Sequence, residues 1–154
     1  MAIEIERKFL VTGDAWKRAA VGVLYRQGYL STDKARTVRV RIAGERAFIT
    51  IKGMAIGIAR PEFEYEIPPD DAAAMLDGLC LKPLIEKRRY TLECKGMRWE
   101  VDEFLGENLG LVVAEVELDS ADQAIELPEW IGLEVTDDAR YFNSSLIAHP
   151  FKLW

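Results

Sequence analysis

The sequence predicts a mainly β protein (α+β class) in which eight antiparallel strands form a barrel or a sandwich and a few helices lie outside it. Two observations lead to this prediction. Apolar and charged residues alternate along seven of the eight predicted strands, as expected for strands with one covered face, and short turns join most of the eight. The predicted strands cover residues 3–10, 24–31, 37–43, 47–52, 60–67, 84–94, 99–104 and 111–118. The 154 residues fit a single domain, 1–154.

The first strand shows the alternation most plainly. Along residues 3–10, the charged side chains of Glu4, Glu6 and Lys8 point to one face and apolar side chains point to the other. The three charged groups then follow one another about 7 Å apart, the two-residue repeat of a strand. A turn and a short helix over residues 15–20 are predicted to follow.

The third and fourth strands carry basic residues on one face. Arg39 and Arg41 alternate with β-branched apolar residues in the third strand. A tight turn at residues 44–45 predicts a hairpin, and in the returning strand Thr50 and Lys52 share a face. These strands therefore continue the alternation of apolar and charged residues, with basic residues in place of the mainly acidic ones of the first strand.

The later strands carry acidic and basic pairs in turn. These pairs are Glu62 and Glu64, Lys87 and Arg89, Glu100 and Asp102, and Glu115 and Glu117. Pro68 and Pro69 end the fifth strand, and a helix with a core-facing apolar stripe is predicted over residues 71–79. Beyond the eighth strand, the sequence predicts a short extended piece at 133–136 and a last helix near 139–148.

The polar faces of these strands are almost entirely ionic, whereas a solvated sheet face would contain more Ser, Thr, Gln and Asn. In a closed eight-stranded barrel the charges would point inward and line a lumen. Such an interior is unfavourable unless its charges are hydrated, paired with one another, or bound to ions and ligand. Basic pairs suit phosphate oxygens, and carboxylate pairs suit Mg²⁺ or Mn²⁺. Together they predict a site for a metal-complexed chain of phosphates, while a solvated face or a structural salt bridge remains the alternative for any single pair.

The composition excludes several other classes of function. The net charge of −6 disfavours nucleic-acid binding by bulk electrostatics. No apolar run is long enough for a transmembrane helix, and Glu4 and Glu6 stand where a signal peptide would be basic and then apolar, so a cytoplasmic location without membrane contact is predicted. Cys80 and Cys94 suggest neither a disulfide framework nor a zinc site. His149 is the sole histidine, which argues against Ser-His-Asp and Cys-His mechanisms.

The ordered set of motifs resembles the CYTH domain family, also called the triphosphate tunnel metalloenzymes, and in particular its short bacterial inorganic triphosphatases. The signature E-x-E-x-K is present as Glu4-Ile5-Glu6-Arg7-Lys8. Similar elements follow at Arg39/Arg41, Thr50/Lys52, Glu62/Glu64, Lys87/Arg89, Glu100/Asp102 and Glu115/Glu117. The resemblance runs from residue 3 to about residue 147 and implies a closed eight-stranded antiparallel tunnel with helices packed outside.

The resemblance also implies roles for individual residues. Metal, Mg²⁺ or Mn²⁺, would be held by Glu4, Glu6 and Glu117, with Glu115 close by. Phosphates would be bound by Arg39, Arg41, Lys52, Lys87 and Arg89. A second metal or the attacking water would be positioned by Glu62, Glu64, Glu100 and Asp102. A catalytic pair would be formed by Lys8 and a tyrosine of the second strand, for which Tyr29 is the first candidate and Tyr25 the second.

Among the substrates of such a family, the sequence favours inorganic triphosphate, cleaved to pyrophosphate and phosphate. A class IV-type adenylyl cyclase would need an adenine and ribose pocket, which no segment indicates. A thiamine or nucleoside triphosphatase stays an alternative, although aromatic residues for stacking thiamine cannot be placed. A non-catalytic module that binds polyphosphate or a nucleotide is also open, because the residues that bind phosphate would be the same.

Two further questions concern the ends and the outside of the predicted barrel. Residues 139–154 either partly close one mouth of the tunnel or pack against its wall. A homodimer is compatible with the broad outer faces of a barrel, and the sequence does not decide between monomer and dimer.

Overall fold

Nine β-strands dominate the protein. The computed structural model describes residues 3–154. The strands are β1 (Ile3–Val11), β2 (Val23–Ser31), β3 (Arg36–Ala43), β4 (Arg46–Gly53), β5 (Ala59–Ile67), β6 (Ile85–Cys94), β7 (Met97–Phe104), β8 (Val112–Glu117) and β9 (Ile131–Glu134). The helices are α1 (Ala15–Arg18), α2 (Pro69–Gly78) and α3 (Ser145–Ala148), and short 3₁₀ turns occur at Gly106–Asn108, Ala139–Tyr141 and Phe151–Leu153.

The first eight strands close into an antiparallel barrel. Neighbouring strands follow the order β5-β4-β3-β2-β6-β7-β8-β1, and β1 also pairs with β5, which completes the ring. The closing contact is short and joins residues 3–5 of β1 to residues 59–61 of β5. Strand β9 pairs with β1 further along, at Phe9 and Val11. The predicted fold class is therefore confirmed, and the barrel rather than the sandwich is the correct alternative.

Tight turns fix the register of the hairpins. Lys95 and Gly96, between β6 and β7, both adopt positive φ angles, 51° and 78°, the geometry that matches the twist of a two-residue hairpin. Such a turn holds Cys94 opposite Met97, so that the charged residues of the two strands fall on the same face.

Apolar side chains cover the outside of the barrel in two places. Helix α2 packs Ala72 and Leu76 against Val40 of β3 and Ala47 of β4. A second cluster joins the outward residues of β1, β6, β7 and β8 to α1, and its fully buried centre is Trp99. The alternation seen in the sequence thus places apolar residues under the helices and charged residues inside.

Gly28 lets the chain that follows α2 approach the barrel closely. A Cβ atom at this position would lie 2.7 Å from Leu84 Cδ2 and 2.8 Å from Cys80 Cβ, both closer than packed atoms allow. The glycine therefore sits where residues 80–84 cross over β2. Its neighbours Gln27 and Tyr29 are buried.

The C-terminal part of the chain departs from the sequence prediction. The helix predicted near residues 139–148 is wrong, because a 3₁₀ turn over Ala139–Tyr141 and helix α3 are separated by Phe142, whose backbone is extended. Within residues 3–154, no helix has the length and apolar character needed to cross a membrane.

Candidate active site: a charged cavity inside the barrel

The inward faces of the strands enclose a cavity of about 420 Å³. Every site residue predicted from the sequence lines this cavity except Asp102, which lies behind the wall. Both signs of charge reach the cavity from several strands, because period-two alternation places each charged pair on the inner face of its strand. Further charged lining residues are Arg60 and Asp137.

Strands β1 and β8 bring carboxylates together on one side of the cavity. Their register sets Glu6 directly opposite Glu117, and Lys8 opposite Glu115. Like charges facing each other across a ladder repel. Burial, together with the charges of Glu115 and Glu4, raises the pKa of Glu6 to about 8, so this side of the cavity favours a bound proton or cation at neutral pH.

Two lysines neutralise part of this carboxylate cluster. Lys52 Nζ lies 2.8 Å from a carboxylate oxygen of Glu4 and 3.3 Å from one of Glu62. Lys8 Nζ lies 3.6 Å from Glu115. Burial alone would lower the pKa of Lys8, but the charges of Glu115 and other acidic neighbours raise it above its usual value. Both lysines are therefore held by carboxylates.

The most deeply buried ion pair lies between β6 and β7. Arg89 donates two hydrogen bonds of 2.8 Å to the two oxygens of Asp102, and Lys87 Nζ lies 2.7 Å from the same carboxylate. Burial opposes the charged form of Asp102, yet these two cations hold its pKa well below the usual range. Burial and the neighbouring arginines lower the pKa of Lys87 to about 7. Arg89 also reaches Glu100, at 3.1 Å.

The two arginines of β3 that line the cavity have unused capacity to bind an anion. Arg39 donates to Thr50 Oγ1 at 3.1 Å and lies 3.4 Å from Glu64, but its buried Nε has no acceptor. Arg41 donates from Nε to Gln27 at 3.1 Å and has no carboxylate within salt-bridge distance among residues 3–154. Burial, Arg39 and Arg89 lower the pKa of Arg41 to about 9. The free Nε of Arg39 and the uncompensated charge of Arg41 favour an anionic ligand.

The two candidate tyrosines occupy different surroundings. Tyr29 is buried in an apolar cluster with Ile85 and Phe104 and lies near enough to Lys8 to raise the pKa of that lysine. The Tyr25 ring lies between Arg41 and Arg89, whose guanidinium carbons are 5.0 and 4.9 Å from its centroid. Tyr29 is thus placed beside the lysine, and Tyr25 between two arginines.

The C-terminal segment contributes to the lining of the cavity. Phe142, Asn143 and Ser144 line it, and Lys8 Nζ donates to the Tyr141 carbonyl oxygen at 3.4 Å. These residues adjoin an apolar cluster, here called the apolar floor, that joins the end of the barrel to the C-terminal segment and contains Tyr29, Ile85, Phe104, Leu111, Val113, Val135, Tyr141, Leu146 and Ile147. The cavity therefore has a charged wall and an apolar floor.

Sequence reasoning missed several residues of this cavity. Arg60 shares the inner face of β5 with Glu62 and Glu64, and its guanidinium donates to the Gly53 carbonyl oxygen at 3.0 Å. The two-residue period would have found it. Gln27 lies behind the lining, where its Oε1 accepts a hydrogen bond from Arg41, and its neutral amide adds nothing to a charge pattern. Asn143 had no comparable signal, because its segment has no repeat.

The carboxylates have the chemistry that Mg²⁺ and Mn²⁺ prefer, but they are not assembled around a cation position. In the described part of the chain, no three carboxylate, cysteine or histidine side chains are arranged to hold a metal ion. The Glu4 carboxylate is paired with Lys52, and the Glu115 carboxylate is paired with Lys8. Glu6 has no cationic partner within 4 Å among residues 3–154. The donor set fits a hard cation once these lysines turn to other anions.

The fold and this cavity define a class of protein: closed antiparallel β-barrels whose ionic interior accommodates a small and highly charged ligand. Within that class, the chain belongs to the CYTH domain family, whose family model matches residues 2–149.

Comparison with individual proteins gives the same assignment. A curated inorganic triphosphatase of Acetivibrio thermocellus is 54% identical over 152 residues, 99% of this chain and 97% of that protein. One of Nitrosomonas europaea is 39% identical over 148 residues, 93% of this chain and 95% of that protein. A solved structure of an inorganic triphosphatase superposes with a TM-score of 0.67 and 37% identity, over 96% of this chain and 95% of the other. The recognised family is confirmed.

Proposed function

We propose that the protein is a divalent-metal-dependent hydrolase that cleaves the terminal phosphate from inorganic triphosphate. In this reaction water attacks the terminal phosphorus, the bridging P–O bond breaks, and pyrophosphate and phosphate leave. The relatives named inorganic triphosphatase support the reaction, because they align with nearly the whole of this chain. They do not test metal dependence, which rests on the chemistry of the cavity.

The observation that carries the proposal is that groups able to bind an anion and groups able to bind a cation face one cavity. On one wall Arg39 Nε lacks an acceptor and Arg41 lacks a carboxylate among residues 3–154. On the β1 and β8 wall, Glu6 has no cation within salt-bridge distance in the described part of the chain, and its raised pKa favours a cation in place of its proton. A metal-complexed phosphate chain supplies what each wall lacks, namely anionic oxygens to the arginines and a cation to the glutamates.

The lining of the cavity favours a small anionic substrate over a nucleotide. Most of the lining residues are charged, and side chains of the C-terminal segment fill the apolar floor. A nucleotide base would need apolar or stacking surface, and two arginines already lie against the Tyr25 ring. The cyclase and the nucleoside triphosphatase are therefore the weaker alternatives.

We assign the following roles to the residues of the cavity. Phosphate oxygens would be bound by the basic residues that line the cavity, which would also stabilise the charge that grows on these oxygens during transfer; they are Arg39, Arg41, Lys52, Lys87 and Arg89. Glu4, Glu6, Glu115 and Glu117 would hold Mg²⁺, which, when bound, polarises the phosphate. Lys8, beside Tyr29, would keep its own ammonium proton because its pKa is raised, and it would orient the reacting oxygen. Glu62, Glu64 and Glu100 would orient the attacking water.

Phosphate release from inorganic triphosphate, ATP, thiamine triphosphate and pyrophosphate, each with Mg²⁺, Mn²⁺ or EDTA, tests the proposal. We expect rapid release from triphosphate with either metal, much slower release from ATP, and none in EDTA. Glu6→Gln and Lys8→Ala should each lower the rate by roughly a hundredfold or more, the range for loss of a positioned charge. Glu45→Gln is the matched control, since Glu45 is exposed in the β3–β4 turn.

Two results would contradict the proposal. Activity that persists in EDTA would exclude metal dependence. Thermal stabilisation by triphosphate without turnover of any compound would make the protein a binding module.

We also propose a cytoplasmic location, supported by Cys80 and Cys94, which are both unpaired thiols as expected in a reducing compartment.

A further inference from the structure

Two side-chain amides link the C-terminal segment to the basic wall of the cavity. Gln27 of β2 is fully buried, and its Oε1 accepts a hydrogen bond of 3.1 Å from Arg41 Nε. Its Nε2 donates to Asn143 Oδ1, also at 3.1 Å. An amide that both accepts and donates can connect a guanidinium to a second acceptor, so Arg41 is tied to Asn143 through Gln27.

Asn143 Oδ1 also accepts a hydrogen bond from a second cation. Lys87 Nζ donates to it at 3.0 Å, while the other contact of this ammonium is Asp102 at 2.7 Å. A carbonyl oxygen has two lone pairs, and in Asn143 they serve Lys87 and Gln27. The hydrogen bond to Lys87 is charge-assisted and belongs to the stronger class. One neutral oxygen of the C-terminal segment thus binds Lys87 directly and Arg41 through Gln27.

We propose that Asn143 is a positioning residue for phosphate binding, with its side-chain oxygen setting the place of Lys87 directly and of Arg41 through Gln27. This inference rests on the proposed function, because it assumes that these cations bind the phosphates of the substrate. It makes the C-terminal segment a part of the substrate site as well as its floor. The oxygen is neutral, so it holds the two cations without cancelling the charge that attracts phosphate.

A neutral acceptor suits this position better than a carboxylate would. Arg89, in the same wall, is paired with Asp102 and Glu100, which compensate its charge. Arg41 has no carboxylate partner among residues 3–154, and Gln27 is the acceptor that fixes its orientation. The amide pair therefore pre-organises a cation that remains available to an anion, and pre-organisation reduces the entropy lost on binding.

The alternative is that Asn143 only anchors the C-terminal segment. The segment has other anchors, since Tyr141, Leu146 and Ile147 are packed in the apolar floor. Asn108 offers a matched comparison, because it is a buried asparagine whose Oδ1 accepts from the backbone of Phe151 at 2.8 Å and which does not line the cavity. It fastens the same part of the chain without touching a cation of the site.

The test compares Asn143→Leu with Asn108→Leu in steady-state hydrolysis of triphosphate and in calorimetric titration with triphosphate and Mg²⁺. We expect Asn143→Leu to raise KM and Kd about tenfold, the usual effect of losing hydrogen bonds to charged groups, with a much smaller change in kcat. Asn108→Leu should lower the melting temperature and leave KM unchanged. If Asn143→Leu does not fold, Asn143→Ala removes the same oxygen and is read in the same way.

A double-mutant cycle shows whether Asn143 acts through the lysine. In a Lys87→Met background, Asn143→Leu should raise Kd by a smaller factor than in the wild-type protein, because part of its effect is already lost. A KM and Kd within twofold of the wild type in Asn143→Leu, with a lowered melting temperature, would overturn the proposal and leave Asn143 as an anchor. Wild-type protein that binds triphosphate without hydrolysing it would refute the proposed function alone, since the titration still measures Asn143.

Discussion

Asp102 illustrates how a residue picked from a motif acquires a more definite role from its contacts. Its side chain is only 2% exposed, and its oxygens are occupied by Arg89 and Lys87. The sequence suggests a second metal or an attacking water as its partner. The contacts favour a structural role instead, as the anion that makes two buried cations tolerable inside the barrel wall.

Asp102→Ala should therefore destabilise the protein strongly. Removing the carboxylate leaves the buried Lys87 without an anionic partner and Arg89 with Glu100 alone, and breaking a buried pair in this way costs about 3–5 kcal/mol. Urea denaturation monitored by tryptophan fluorescence measures the loss. Glu100→Ala is the control, since its side chain is 30% exposed and Arg89 is its one salt-bridge partner among residues 3–154, so its cost should be under about 1 kcal/mol. Equal effects of the two substitutions would refute the structural role.

Glu6 predicts a pH dependence of metal binding. Because burial and neighbouring carboxylates raise the pKa of Glu6 to about 8, a metal ion must displace a proton below that pH. The affinity for Mn²⁺ should therefore increase as the pH rises from 6 to about 8 and then level off. Calorimetric titration across this range measures it, and Glu6→Gln should bind weakly at every pH. An affinity that does not change with pH would contradict the raised pKa.

The same shift has a consequence for the metal-free protein. The folded state keeps the Glu6 proton up to about pH 8, whereas the unfolded chain releases it near the ordinary value of 4.5. Between these values the folded protein binds more protons, so the contribution of Glu6 to the free energy of unfolding decreases as the pH rises. This contribution is complete below about pH 4.5 and lost above about pH 8.

At the scale of whole elements, the C-terminal segment depends on an aromatic cluster at the end of the chain. Trp154 packs edge-on against both Tyr141 and Phe151, with ring centroids 5.0 Å apart in each pair. Tyr141 in turn presents its carbonyl oxygen to Lys8. The cluster therefore supports the floor of the cavity from outside the barrel.

Trp154→Ala tests this support. Loss of two edge-to-face contacts should cost about 1–3 kcal/mol, since each pair contributes roughly 0.5–1.5 kcal/mol beyond the burial of area. KM for triphosphate should rise slightly, because Tyr141 loses its outer neighbour. Leu153→Ala is the control, as Leu153 is 61% exposed. A melting temperature equal to that of Leu153→Ala would show that the cluster does not support the floor.

The elements also show which parts of the structure were accessible from the sequence. The eight strands and the inward direction of their charged residues follow from the two-residue period, which depends only on local geometry. The last helix was predicted wrongly because packing into the apolar floor extends the chain at Phe142. Gln27 and Asn143 escaped attention because neutral amides add nothing to a charge pattern, and their pairing requires β2 and the C-terminal segment to meet.

At the scale of the whole molecule, most charges inside the barrel are compensated by other side chains of the barrel. Lys52 pairs with Glu4 and Glu62, Lys8 faces Glu115, and Arg39 lies beside Glu64. These pairs join the cations expected to bind phosphate to the carboxylates expected to bind metal. Binding of a metal–triphosphate complex would exchange each internal pair for a pair with the ligand, so that no charge is left uncompensated.

This exchange predicts that triphosphate and Mg²⁺ stabilise the protein cooperatively. Either one alone must separate internal pairs and leave charges of the opposite sign buried without partners, which is costly. Triphosphate and Mg²⁺ together leave no buried charge without a partner. Melting temperatures should therefore rise little with triphosphate in EDTA or with Mg²⁺ alone, and much more with both, since ligand at a hundred times Kd adds about 2.7 kcal/mol to the free energy of unfolding. Ca²⁺ can replace Mg²⁺ in the assay if turnover consumes the triphosphate.

Lys52→Met, which removes the partner of Glu4, should allow Mg²⁺ alone to stabilise the protein more than it does in the wild type. Equal and additive shifts in the wild-type protein would show that the internal pairs do not oppose binding, and the cavity would then hold metal and phosphate at independent positions.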